Sequence, residues 1–150
     1  MNEFPKIINW DNIFSKSEEF EKSVDPKFTF VENWIDEEFY EKLFQSFPSI
    51  DMFTRIEQQD KTAFRRWWGT KKDGDIADPE EEDKKLSHEW NLFYKYLHSE
   101  EFIENFRKFS KVEVNRLKHW TFMNMEKGGY QLPHIHNEGP RTIGLIFYFN

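Results

Sequence analysis

The chain has 150 residues, one domain's length, and its 21 basic against 28 acidic residues give a formal charge of −7. That balance argues against a nucleic-acid face: the short basic pairs Arg65-Arg66 and Lys71-Lys72 both sit near acidic residues. The absence of cysteine excludes a disulfide framework, a thiolate metal site and a cysteine nucleophile.

In chain order, residues 1–26 carry Phe4, Ile7, Ile8, Trp10, Ile13 and Phe14 without a clean period, and read as a segment that wraps the domain. The opening Met1-Asn2-Glu3-Phe4-Pro5-Lys6 lacks the regions of a signal peptide, and no apolar run reaches membrane-spanning length. A soluble cytoplasmic protein is the expectation. Phe28 and Phe30 alternate with Lys27 and Thr29, predicting a short strand to Glu32. Asp36 is the predicted N-cap of a helix whose apolar stripe is Phe39, Tyr40, Leu43, Phe44 and Phe47, ended by Pro48. Phe64 to Gly69 reads as a strand or an ordered bend. The charged stretch Lys71 to Lys85 reads as a solvated loop, and its spacing does not fit an EF-hand calcium loop. Leu86, Trp90, Phe93, Tyr94 and Leu97 form a second helical stripe. Ser99 then caps a third helix with Phe102, Ile103, Phe106 and Phe109 on its inner side. Residues 27–111 are thus expected to be mainly helical. Aromatics make up 19% of the chain; without a basic stripe beside them they are expected to build the core rather than to stack bases.

From Val112 the period shifts toward two, predicting one or two strands over 112–126, a tight turn at Gly128-Gly129, and strands over 130–136 and 141–149. In the last of these, Ile143, Leu145, Phe147 and Phe149 share one face, which should lie in the core. Thr142, Gly144, Ile146, Tyr148 and Asn150 share the other, expected to form one wall of a pocket. The fold class is therefore α+β, with helices packed on one side of β-structure. His134 and His136 stand one residue apart on an expected strand, so both imidazoles face the same way and could reach one metal ion.

The stretch Gly128-Gly129, Pro133-His134, His136-Asn137, Gly139, Arg141 and Leu145 to Asn150 resembles the iron(II)- and 2-oxoglutarate-dependent oxygenases of the prolyl-hydroxylase type. That family reads Tyr-x-x-Gly-Gly, then Pro-His-x-Asp, a Gly-Arg turn, and an apolar strand ending Tyr-Leu-Asn. The close match spans about twenty-five residues. The resemblance implies a double-stranded β-helix, or jelly roll, with Fe(II) and 2-oxoglutarate as cofactors and a protein side chain or a metabolite as substrate. Under it His134 is the first iron ligand, and His136 stands where the family has its carboxylate ligand. Tyr148 would hydrogen-bond the distal carboxylate of 2-oxoglutarate, and Arg141 belongs to the turn before that strand. Met125 replaces the usual tyrosine. The family's distal histidine and its cationic clamp follow the Tyr-Leu-Asn strand, so the chain is expected to hold about half of the barrel, incomplete at its C-terminus. By itself it should bind metal weakly and turn over negligibly.

Two other readings compete. A cupin-type site shares the opening Gly-x5-His-x-His, but the expected glutamate is absent, since Glu138 comes only two positions after His136. A non-enzymatic interaction domain is the third reading, with the edge of 141–150 completed by a homodimer or by a complementing chain.

Overall fold

The computed structural model describes residues 4–24, 27–133 and 141–149. Three helices form where a capping side chain precedes an amphipathic run: α3 (Glu37–Gln45), α4 (His88–Leu97) and α5 (Glu100–Ser110). Asp36, Ser87 and Ser99 accept the backbone N–H of Phe39, Trp90 and Phe102 at 3.4, 3.3 and 3.2 Å, each satisfying a donor that the first turn leaves unpaired. Each first turn carries acidic residues, Glu37 and Glu38 in α3, Glu89 in α4, and Glu100 and Glu101 in α5, where the helix dipole favours them. Lys111 closes α5 in the left-handed conformation, at φ 57°, returning its N–H to Arg107.

The N-terminal segment folds into two short helices, α1 (Trp10–Phe14) and α2 (Ser17–Lys22). Phe20 of α2 stacks on Phe109 of α5 at 5.1 Å. Ile8 bridges Ile35, and the Asn9 and Asn12 side chains donate to the carbonyls around Asn33. This pins the chain entry across the start of α3. Residues 27–30 form no strand, and Phe28 and Phe30 are exposed. Alternation alone does not make a strand without a partner to accept its hydrogen bonds.

The sheet is antiparallel and small. A hairpin of β1 (Thr54–Gln58) and β2 (Lys61–Trp67) lies inside the stretch expected to be mainly helical. β2 also pairs, on its other edge, with β3 (Thr121–Asn124) and then with β4 (Tyr130–Gln131). Two expected strands differ. Residues 112–120 carry no ladder: Val114 turns back on Val112 through a 2.8 Å bond, and the Arg107 guanidinium holds the Val114 carbonyl at 2.5 Å. Residues 141–149 are extended but form no ladder among the described residues.

The core lies between α4 and one face of the sheet. Trp68, Trp90, Phe93, Tyr94 and Phe122 are buried there, and Trp68 stacks flat on Tyr94 with centroids 4.0 Å apart. Phe47, Trp120, Phe147 and Phe149 pack against the same cluster. No described helix is long and apolar enough to cross a membrane.

Candidate functional site

The stem of the histidine motif is built by the sheet. Opposite Ala63 of β2, residues 125–129 are looped out between β3 and β4. The loop closes on a 2.8 Å bond from the Gly129 N–H to the Glu126 carbonyl, with Gly128 at φ 87°. Only glycine takes that backbone readily. At Gly129 the requirement is different: a Cβ would stand 3.0 Å from the carbonyl oxygens of both Thr62 and Glu126. The expected Gly-Gly turn is therefore present, and each glycine has its own reason. Beyond it, the Leu132 N–H donates to the Asp60 carbonyl at 2.8 Å and the Tyr130 hydroxyl meets the Gln59 carbonyl at 3.3 Å. β4 is thus tied to the tip of the β1–β2 hairpin immediately before Pro133.

His134 and His136 lie outside the described residues, as does the part of the expected strand 130–136 that holds them. Arg141 and Tyr148 are described, and both are exposed, Tyr148 to 64%. The reason is the anchoring of its neighbours. Phe147 stacks on Trp34 at 4.6 Å, and Phe149 lies parallel to Tyr40 at 5.4 Å and 5.3 Å from Trp90. With both flanking rings turned into the core, an extended backbone turns Tyr148 outward. Ile143 joins the inner face as expected, but Leu145 does not: it is 39% exposed. Cavities of about 160 and 440 Å³ lie elsewhere, along Phe4 to Asn12, and neither includes Tyr148 or Arg141.

A polar network that the sequence did not announce fixes the charged loop after β2. Asp83 is buried, where its carboxylate accepts from Arg66 at 2.6 Å, from the Gly69 N–H at 2.9 Å and from the Lys85 N–H at 3.0 Å. Asn91 of α4 brackets the Asp83 backbone on both sides. Nearby, one oxygen of Glu81 accepts from the N–H and hydroxyl of Thr70, while the other faces the Lys71 ammonium at 3.2 Å without hydrogen-bond geometry. Burial pushes the Glu81 carboxyl up, but these donors outweigh it and hold it below its ordinary value of 4.5. Expected as a solvated loop, this segment is clamped at its end. The Asp83 carboxylate is filled by donors of the chain itself, so it serves as a structural clasp.

The other histidines stand apart. His119 is exposed, with Nδ1 3.0 Å from the Asp75 carbonyl. His98, at the end of α4, has a buried Nε2 without a hydrogen-bond partner, and its ring meets the Tyr94 edge at 4.7 Å. Among the described residues no group of three His, Asp or Glu side chains could hold a metal ion. Comparison with protein-family models, with curated proteins and with solved structures finds no match for this chain.

Proposed function

We propose that the chain is of the iron(II)- and 2-oxoglutarate-dependent oxygenase lineage, a partial jelly roll that binds a divalent metal through His134 and His136. The observation that carries this reading is the stem: a Gly-Gly loop whose two glycines are required by a positive φ and by contact with β2. Such a loop presents the next residues from a fixed point on the sheet, as a rigid metal site needs. Helices on one face of an antiparallel sheet agree with the same lineage.

The residues present do not make up the whole site. Two neutral imidazoles fall one anionic ligand short of the two-histidine, one-carboxylate set that suits Fe(II). Tyr148 and Arg141, the two candidates for holding 2-oxoglutarate, are exposed side chains. No catalytic step is therefore assigned, and the isolated chain is read as binding metal without sustained turnover. The exposure of Tyr148 and of its neighbour Ile146 favours a second reading, a non-enzymatic interaction domain.

Anaerobic addition of Fe(II) and 2-oxoglutarate, followed by admission of air, tests the site assignment. Negligible succinate from the isolated chain is expected. Robust succinate production that survives His134→Ala would overturn the site assignment.

A further inference from the structure

Arg65 and Arg66 are neighbours on β2 and therefore point to opposite faces of the sheet. Arg66 lies on the core face, opposite Phe122, and forms the buried ion pair with Asp83. Arg65 lies on the outer face. Its side chain is only 14% exposed, yet its buried Nε has no hydrogen-bond partner. Among the described residues its one ionic partner is Asp73, 75% exposed and 4.0 Å away, too far for a hydrogen bond. A guanidinium held largely out of water with an unmet donor is costly, and marks the place of a missing acceptor.

The surroundings say which acceptor fits. The strand register places Thr54 and Met123 directly across from Arg65, with Trp67 two residues along β2 on the same face. No Asp or Glu of the four strands lies on this face, and its two charged residues, Arg65 and Lys61, are both positive. In a chain of −7 such a face favours an anion. Lys61 stands four residues, or about 13 Å, along the strand, so a small ligand at Arg65 meets one guanidinium, already partly neutralised by Asp73. That suits a singly charged carboxylate, whose two oxygens match the guanidinium fork, better than a phosphate dianion. Met123, 38% exposed, and the half-buried Trp67 offer apolar surface beside the charge.

We propose that Arg65 anchors a binding site on the outer sheet face for small monocarboxylic acids with an apolar body. The carboxylate takes the guanidinium in competition with Asp73, and the body of the acid lies against Met123 and Trp67. The site goes beyond the oxygenase reading and does not depend on the histidine pair.

Butyrate is the probe, titrated into the full chain and followed by nitrogen–proton correlation spectra at the Trp67 indole and the Met123 amide. Both signals should shift saturably, and the Arg65 Nε–H signal should move with them. Butyramide, of the same shape without the charge, should leave them in place. Arg65→Lys keeps the charge but not the fork and should weaken binding about tenfold, and Arg65→Gln should abolish it. Asp73→Asn removes the internal competitor at an exposed position and should tighten binding. Absence of a saturable shift in both the parent and Asp73→Asn would overturn the proposal. So would equal binding of butyramide, unchanged affinity in Arg65→Gln, an affinity no tighter in Asp73→Asn, or displacement of butyrate by inorganic phosphate at equal concentration.

Discussion

Arg66 of β2 and Asp83, 17 residues later in the chain, form a buried ion pair at 2.6 Å, with side chains only 7% and 4% exposed. Burying two charges is costly, and the pair persists because its remaining lone pairs are filled by the Gly69 and Lys85 N–H groups. The Arg66 guanidinium also lies 5.8 Å from the Phe122 ring. Asp83→Ala would leave that guanidinium buried without a counter-charge, and a loss of about 3–5 kcal/mol is expected. The double variant Arg66→Met/Asp83→Leu should lose markedly less than the two single changes added. Urea denaturation of the four proteins measures the difference; simple additivity would show that the two groups do not act as a pair.

Trp68 carries a second burden. It stacks on Tyr94 and donates its indole N–H to the Glu81 carbonyl at 2.8 Å, so one side chain joins β2, α4 and the charged loop. Trp68→Ala should cost about 3–5 kcal/mol. Trp68→Phe keeps the ring but loses the donor and should cost less. Thermal melts followed by near-ultraviolet dichroism read both changes, and equal costs would mean that the hydrogen bond carries nothing.

The helices were legible because their signals are local. Asp36 and Ser99 stand three residues before the N–H groups they cap, and the stripes of α3, α4 and α5 recur at helical spacing. The strands were not, because a strand is settled by its partner. Thr54–Gln58 holds one apolar residue, Ile56, and is a strand because Lys61–Trp67 pairs with it. Phe28 and Phe30 alternate more cleanly, yet pair with nothing in the sheet. Asp83 was hidden for the same reason: only the folded chain brings Arg66 beside it. Of the candidate site, the Gly128-Gly129 turn was readable from composition, and the outward placement of Tyr148 was not, since it follows from the anchoring of Phe147 and Phe149.

Gly129→Ala tests the stem. Its added methyl would sit 3.0 Å from two backbone oxygens that cannot swing away. A loss of about 1–3 kcal/mol is expected from such overpacking. Gly74→Ala is the contrast, since there the cost is backbone strain at φ 87° with open space around the Cβ. Amide exchange at Leu132 should quicken in Gly129→Ala and not in Gly74→Ala. Unchanged protection would mean that β4 does not depend on the close approach at Gly129.

Stability should fall on mild acidification, through His98. Burial holds its imidazole below the ordinary value of 6.5, and the nearby Asp78 charge offsets only part of that. The unfolded chain therefore takes up the proton at a higher pH than the folded one. The contribution is complete above 6.5 and is lost as pH drops from there through the folded value. The melting temperature should decline across that window, and His98→Gln should flatten the decline. An equal slope in the variant would remove His98 from the account.

Under the proposed function His134 and His136 together hold a metal ion. Anaerobic titration with Fe(II) of the parent chain, of each single alanine variant and of the double variant tests it most directly. Saturable binding by the parent is expected, weakened at least about tenfold in either His134→Ala or His136→Ala, since loss of an outer-shell partner alone costs about 10–100-fold and loss of a ligand should cost no less. Absent binding by the parent, or equal affinity in the double variant, would show that this histidine pair is not a metal site.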